Sequence, residues 1–502
     1  MMGIRHRWME EIRDGLDRAL SQDQMRLAAV LLLFSVLAFS KLGEMGLAAW
    51  DDGYYAQKAR EIFSSGDWLT MHYNGRPTFD NPPLFMWLQA AAYRLFGVGE
   101  YAARLPSAIL GTLTIWLVFC LGRELRDARY GLMSALVLAL TQPFIRYSRR
   151  GMMDVSLSFF VVVALFFGWK GAREDRRWFL LWALACGAAV LEKSVLGMFP
   201  FLIVILWLVV QRNWESLRSP QLVGAVVLFA IAGGWWYVYQ IIQWGDRFVH
   251  LHFGWLILAR GFSRQEGAGN WWEHLSYLKD LLKYYWPWLP LALWGLAVSI
   301  REYLTDRKLA DRSLLLVWLL SYLLVLSFME ARRIWYFMPA FPVLALLAAG
   351  PAVGWMKLDV WHTRLYRSVL VLSLAAGAAI NFTPLRIDKE RSLEVRRVAP
   401  YVRYYHRLGA GIIGYRLDYY GLNNLLLFYS GVGADIRREP AQLEEVLAQG
   451  GEVGLLVERD EYQRLDQGIR SSFKLVKGSG PLLFLTSGSL RPDTIQIKVR
   501  AR

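Results

Sequence analysis

From Leu27 to Phe382 long apolar stretches alternate with short polar gaps. The stretches lie near residues 27–48, 104–121, 131–145, 154–169, 178–191, 194–211, 221–242, 286–300, 313–328, 335–354 and 368–384. A bilayer core takes about 20 residues of helix, so several stretches are short and draw on flanking residues. They predict about eleven transmembrane helices, the pairs within 131–169 and 178–211 being the hardest to separate. Beyond residue 385 the pattern changes. Short apolar blocks at 411–414, 425–429, 453–457, 473–476 and 482–485, set between glycines and charged turns, predict strands, and 440–449 predicts a helix. The chain thus divides into a polar segment 1–26, a transmembrane region 27–384 and a small C-terminal α/β domain 385–502.

Charge orients the bundle. With the N-terminus in the cytoplasm, the inner gaps hold Arg123/Arg126/Arg129, Lys170/Arg173/Arg176/Arg177, Arg212/Arg218, Arg301/Arg307/Lys308/Arg312 and Lys357/Arg364/Arg367. Basic residues concentrate in cytoplasmic loops of membrane proteins. The outer face then carries connections 49–103 and 243–285 and the C-terminal domain, as expected of a multi-pass protein of the cell inner (plasma) membrane. Apolar residues make up 55% of the chain and charged ones 20%, which excludes an ordinary soluble protein. The formal charge of +15 fits basic loops and anionic lipid; no soluble basic module suggests nucleic acid. The 23 Trp and 24 Tyr suit many membrane interfaces. Cys120 and Cys186 lie within apolar runs, so neither a disulfide framework nor a thiolate metal site is expected. Residues 1–26 are too long and too acidic for the basic start of a signal peptide, so the first apolar run reads as a retained anchor.

The candidate chemistry sits in connection 49–103. Trp50-Asp51-Asp52-Gly53-Tyr54-Tyr55 places two carboxylates where a membrane helix ends and an amphipathic interfacial helix begins. An N-cap accounts for one of them; a pair of like charges asks for a second reason. Asp154 follows Arg146, Arg149 and Arg150 at the mouth of another helix, where it either pairs with an arginine or has a functional role. Glu192-Lys193, Arg260 with Arg264, and Arg332-Arg333 flank apolar runs on the same face. Together such residues make a cationic pocket with a few carboxylates, which suits a lipid-linked phosphate.

Asp51-Asp52-x-x-Tyr55-Ala56, then Gly66-Asp67-Trp68 and Phe79-Asp80-Asn81-Pro82-Pro83-Leu84, resembles the first external loop of the GT-C glycosyltransferases. The branch is that of the protein O-mannosyltransferases and lipid A aminoarabinose transferases. The resemblance continues through Arg149–Asp154, Leu191-Glu192-Lys193, Arg260, and Arg332 to Tyr336, Pro339 and Pro342. One departure stands out: the family's Lys before Pro-Pro is Asn81 here.

The resemblance implies inverting transfer of a sugar from a polyprenyl-phosphate (undecaprenyl phosphate) carrier to an extracytoplasmic acceptor: lipid A, another glycan or protein. Asp51, Asp52 and Asp154 are the expected catalytic group, Asp51 as base for a hydroxyl acceptor. Lys193, Arg260, Arg149 and Arg332 are expected at the donor phosphate, and Tyr55, Arg76 and Tyr336 at the substrates. No cofactor is required; a divalent metal held by Asp80 with His250, His252 or His274, the last named as its partner, is an option. A transporter or lipid-linked sugar flippase shares the helix count, but neither internal repeats nor mid-depth charges stand out. A non-catalytic scaffold leaves the Asp51-Asp52 loop without a reason.

Overall fold

A computed structural model describes residues 22–259, 276–306, 309–328, 333–355, 359–383 and 392–488. Arg260, His274 and Arg332, together with Arg264, lie outside the described residues. Each of the eleven apolar stretches contains a helix: α1 (Gln22–Phe39), α4 (Glu100–Leu125), α5 (Ala128–Ala139), α7 (Met153–Arg173), α8 (Trp178–Lys193), α9 (Phe199–Val210), α10 (Pro220–Trp244), α11 (Leu289–Thr305), α12 (Ala310–Phe328), α13 (Phe341–Trp355) and α14 (Asp359–Phe382). Between α1 and α4 run α2 (Asp51–Ser65), the hairpin β1–β2 (His72–Tyr73, Arg76–Pro77) and α3 (Leu84–Phe96); α6 (Gln142–Ser148) links α5 to α7.

Among the described residues, seven helical spans are long and apolar enough to cross a membrane. One of them, Trp178–Val210, folds back on itself. Lys193, ending α8, pairs with Asp154 at the start of α7, whereas Trp207 stacks on Trp169 near the end of α7, ring centroids 5.5 Å apart. The reversal falls at Ser194–Met198, where Gly197 lies so close to Ala189 that an added Cβ would sit 2.0 Å from its carbonyl oxygen. The lipid-facing surface is marked by exposed apolar residues at helical spacing: Val223, Val227 and Ile231 on α10, and Ile109, Leu113 and Trp116 on α4.

Without a hydrophobic drive between helices in lipid, close packing needs small residues. Gly122 of α4 meets Gly131 of α5, a Cβ on Gly122 falling 2.7 Å from the Cα of Gly131. Caps close the helix ends at the opposite side from Asp51: Asp127 accepts from Tyr130 N at 2.9 Å, and Ser219 caps α10 ahead of Pro220.

The C-terminal domain contains α15 (Leu393–Arg407), α16 (Asn424–Ser430), α17 (Pro440–Ala448) and a five-stranded sheet of order β4-β3-β5-β7-β6. Its strands are β3 (Gly411–Tyr415), β4 (Asp435–Arg437), β5 (Val453–Glu458), β6 (Phe473–Ser479) and β7 (Leu482–Ser487). The pairs β3–β4 and β3–β5 are parallel, and β5–β7 and β6–β7 are antiparallel. The block 425–429, expected as a strand, is helix α16. Leu425, Leu426, Leu427 and Phe428 are all buried, and an all-round apolar run of that length carries no period to separate strand from helix.

Leu425, Leu426 and Phe428 join Tyr55, Ala56, Phe85, Val395, Val398 and Phe484 in one apolar core, so the domain rests on α2. Replacing Gly131 by Val is expected to force α4 and α5 apart at a cost of about 1–3 kcal/mol, read as a lower unfolding temperature in detergent.

Candidate active site

Trp50 carries φ +69°, an unusual value for a bulky residue, and this turn delivers Asp51 and Asp52 in different directions. Asp52, 1% exposed, points into the scaffold. Its Oδ2 accepts from Ala48 N at 2.8 Å and Arg104 at 3.2 Å, and its Oδ1 accepts from Gly151 N at 2.7 Å. Arg104 also donates to the carbonyls of Leu42, Met45 and Gly46. Asp52 is therefore a structural anchor, which corrects its placement with the catalytic group, and it is no N-cap either: its backbone partners lie upstream and on the far loop. Arg149 is likewise corrected. It is buried, and its guanidinium donates to the Leu37 and Ala38 carbonyls at 2.7 and 3.2 Å, capping α1. Arg146 and Arg150 both lie over the ring of Tyr147, at 5.9 and 5.3 Å.

Asp51, half-buried, faces the other way. It lies close enough to interact electrostatically with Tyr55 and Lys58 on its own helix and with Asp154 and Lys193 across the bundle. The spacing i, i+4, i+7 puts Asp51, Tyr55 and Lys58 on one face of α2. Lys193 makes an ion pair with Asp154, and its ammonium sits 4.6 Å from the centre of the Tyr336 ring. Next to it, Ser156 donates to the buried Glu192. Among the described residues, Asp154 Oδ2 and Glu192 Oε2 are buried without a hydrogen-bond partner. Orphaned oxygens of this kind mark a place where a polar ligand fits. The Tyr55 phenol is raised well above its ordinary value by burial and then by Asp51 and Asp154, so it stays an O–H donor at neutral pH.

A second cation belongs to the same group. Lys58, fully buried, donates to Asp80 and, at 3.0 Å, to Asn81 Oδ1, with its ammonium 4.3 Å from the Tyr54 ring centre. Burial pulls the Lys58 ammonium below its ordinary value while Asp80 opposes the fall; for Asp80, burial pushes up, but Lys58 prevails and holds the carboxyl low. Sequence reasoning missed Lys58, although its helical spacing from Asp51 was there to find.

His252 ties the parts together. Its Nδ1 lies 2.5 Å from the Phe79 carbonyl and its Nε2 3.1 Å from Ser194 Oγ. Burial lowers its pKa, so the ring is neutral at pH 7, Nδ1–H donating to Phe79 and Nε2 accepting from Ser194. Ser194, at φ +43°, is the break beside Lys193. The end of α10 holds the same loop: Trp236 and Gln240 both donate to the Leu69 carbonyl, at 2.8 and 2.7 Å.

The metal option fits the described residues poorly. Asp80 receives the Lys58 ammonium, both nitrogens of His252 are engaged, and among the described residues no three His, Cys, Asp or Glu side chains cluster. Arg76 is exposed on the second hairpin strand, whose Asn74-Gly75 turn is held by Glu61.

Replacing Lys58 by Met leaves the part-buried Asp80 carboxylate without its cation, at a cost of about 1–3 kcal/mol. The double change Lys58→Met with Asp80→Asn is expected to recover much of that loss; thermal unfolding of the two variants checks the order.

Residues 80–237 match the family described as dolichyl-phosphate-mannose-protein mannosyltransferase. The chain is 27% identical over 372 residues to the undecaprenyl phosphate-alpha-4-amino-4-deoxy-L-arabinose arabinosyl transferase of Pseudomonas aeruginosa (strain UCBPP-PA14), covering 71% of this chain and 65% of that protein. It is 28% identical over 324 residues to an uncharacterized protein of Aquifex aeolicus, covering 64% of this chain and 62% of the relative. The matches thus span under two thirds of these relatives' own lengths. In fold the chain is similar to ArnT of Cupriavidus metallidurans bound to undecaprenyl phosphate, with a TM-score of 0.72 at 19% identity over 92% of this chain and 98% of that one. Part of the chain thus matches a mannosyltransferase family in sequence, and most of it is similar in fold to ArnT.

Proposed function

We propose that this protein is an inverting glycosyltransferase that moves a sugar from a polyprenyl-phosphate carrier to an acceptor on the extracytoplasmic face. The observation that carries the reading is the meeting of Asp51, Asp154, Lys193 and Tyr336 at one end of a lipid-facing helical bundle. There a prenyl chain stays in the bilayer while its head group reaches the charges. The names of the Pseudomonas relative and of the undecaprenyl-phosphate-bound ArnT support such a donor, and an aminopentose sugar with lipid A as acceptor is the favoured case among lipid, glycan and protein.

In the proposed reaction an acceptor oxygen attacks the anomeric carbon from the face opposite the phosphate. The bond from that carbon to the phosphate oxygen breaks, and its electron pair leaves with the polyprenyl phosphate. The leaving group is already acidic, so it needs charge stabilisation rather than a proton. Lys193 supplies this charge; Arg260 and Arg332 join it as proposals from sequence alone. No divalent ion is required. Asp51 takes the proton of a hydroxyl acceptor, or positions a phosphate acceptor that has none to lose. Asp154 aligns Lys193, and the Tyr55 hydroxyl and the Tyr336 ring border the sugar. The N-terminus is proposed to be cytoplasmic and the C-terminal domain periplasmic. Labelling of cysteines introduced into that domain from outside intact cells tests this; labelling from the cytoplasmic side alone overturns it.

In proteoliposomes given an undecaprenyl-phosphate-linked sugar, Asp51→Asn is expected to lower transfer about 10²–10⁴-fold with the fold retained. Full activity in that variant removes Asp51 from the chemistry. Lys193→Ala is expected to weaken use of the donor, seen as a higher KM for the carrier as well as a lower kcat. Unchanged kinetics place the phosphate elsewhere.

A further inference from the structure

A second charged cleft lies on the other side of α2. Its volume is about 490 Å³, and it opens where Arg60 and Phe63 of α2, Val98 and Glu100 before α4, and Arg396 and Arg403 of α15 converge. Arg60 is nine residues beyond Asp51, hence half a turn away in direction and roughly 14 Å along the axis. The cleft is therefore separate from the acid–base cluster. Three guanidinium groups face one carboxylate. Glu100 lies 3.5 Å from Arg396 and accepts from the Tyr429 hydroxyl at 3.1 Å. Among the described residues no carboxylate forms an ion pair with Arg60 or Arg403. The Arg60 guanidinium is lowered from its ordinary value first by burial and then by the charge of Arg403, so two cations are held against each other.

Part of this arrangement is scaffolding. Arg60 donates to the Leu427 and Phe428 carbonyls, and Arg403 donates to those of Tyr429 and Ser430, at 2.5 and 2.7 Å, closing the end of α16. One cation at a helix C-terminus contributes about 0.3–1 kcal/mol, which does not explain gathering three around an open cavity. Arg60 uses a single terminal nitrogen on these carbonyls, and a guanidinium carries five N–H donors in a fork matched to phosphate.

The mouth of the cleft adjoins apolar surface. Leu95 and Phe96 are 77% and 58% exposed, Val98 and Phe63 line the cleft and are themselves exposed, and α4 continues from here into its lipid-facing stripe. We infer that this cleft binds the phosphate-bearing head group of a membrane lipid, whose acyl chains lie along Leu95, Phe96 and α4 while its phosphate meets Arg60, Arg396 and Arg403. This site goes beyond the transfer reaction and does not depend on it.

The test is lipid retention by the purified full-length protein in native mass spectrometry, in a Lys193→Ala background that weakens anion binding at the cluster. Phosphatidylglycerol is expected to be retained at least tenfold more tightly than phosphatidylcholine. The pair Arg60→Gln and Arg403→Gln is expected to remove that preference. Because those arginines also close α16, Glu100→Gln provides a second arm: deleting the one carboxylate is expected to strengthen phosphatidylglycerol binding about threefold, a gain that damage to the fold would not produce. Equal retention of the two lipids, or an affinity untouched by Glu100→Gln, overturns the site. Displacement of the lipid by millimolar inorganic phosphate assigns the cleft to free phosphate and overturns the lipid assignment. None of these outcomes bears on Asp51, whose role rests on the transfer assay.

Discussion

The ion pair of Asp52 and Arg104 sets the position of everything around it. Arg104 gathers three carbonyls from the turn that leaves α1, while Asp52 takes an N–H from that turn and another from Gly151, just before α7. Two charges buried this deeply are costly to remove from water and weak as a source of stability. Their return is geometric: the start of α2 is fixed against the start of α7, which keeps Asp51 within electrostatic reach of Asp154. Gly151 has no side chain for the same reason, since a Cβ there would sit 3.0 Å from the Asp52 carboxylate and 2.9 Å from the Ala103 carbonyl oxygen. The two adjacent carboxylates thus divide the work, one holding the frame and one within electrostatic reach of Asp154 and Lys193.

The C-terminal domain completes this frame from behind. Gly53, the residue after the pair, leaves room for Leu425 of α16, whose methyl carbon lies 2.9 Å from where a Cβ would be. Tyr429 accepts from Leu47 N at 2.8 Å, and Tyr73 donates to Asn424. The back of α2 is therefore made by a domain more than 300 residues later in the chain, as the sequence separations of these hydrogen bonds show. Such a domain acts as a buttress, and its distance in sequence hides that role from any local reading.

The membrane character and most strands of the tail were legible because each rests on local period: long apolar runs for the bundle, short blocks between glycines for β3, β5, β6 and β7. What failed was decided by contacts the sequence does not order. Asp51 and Asp52 look equivalent on paper, and only Arg104, more than fifty residues away, separates them. Arg149 reads as a phosphate ligand until α1 returns its carbonyls to it. The run 425–429 has no period to read. The count of crossings was blurred for a physical reason too: α8 and α9 are 16 and 12 residues long and meet at a tight reversal, so neither alone has the length of a span.

Lys58 shows how a departure in sequence is absorbed in space. The segment that resembles a Lys-Pro-Pro motif carries Asn81, so position 81 brings no charge. Yet an ammonium stands 3.0 Å from Asn81 Oδ1, delivered by the neighbouring helix. The amide oxygen accepts a hydrogen bond that a lysine at 81 would have repelled, and Asp80 balances the charge that has moved one element across. A field at a given point depends on where the charge lies and not on which residue number carries it. The motif therefore appears broken along the chain while the loop keeps a cation beside it, and that cation shares one helical face with Asp51.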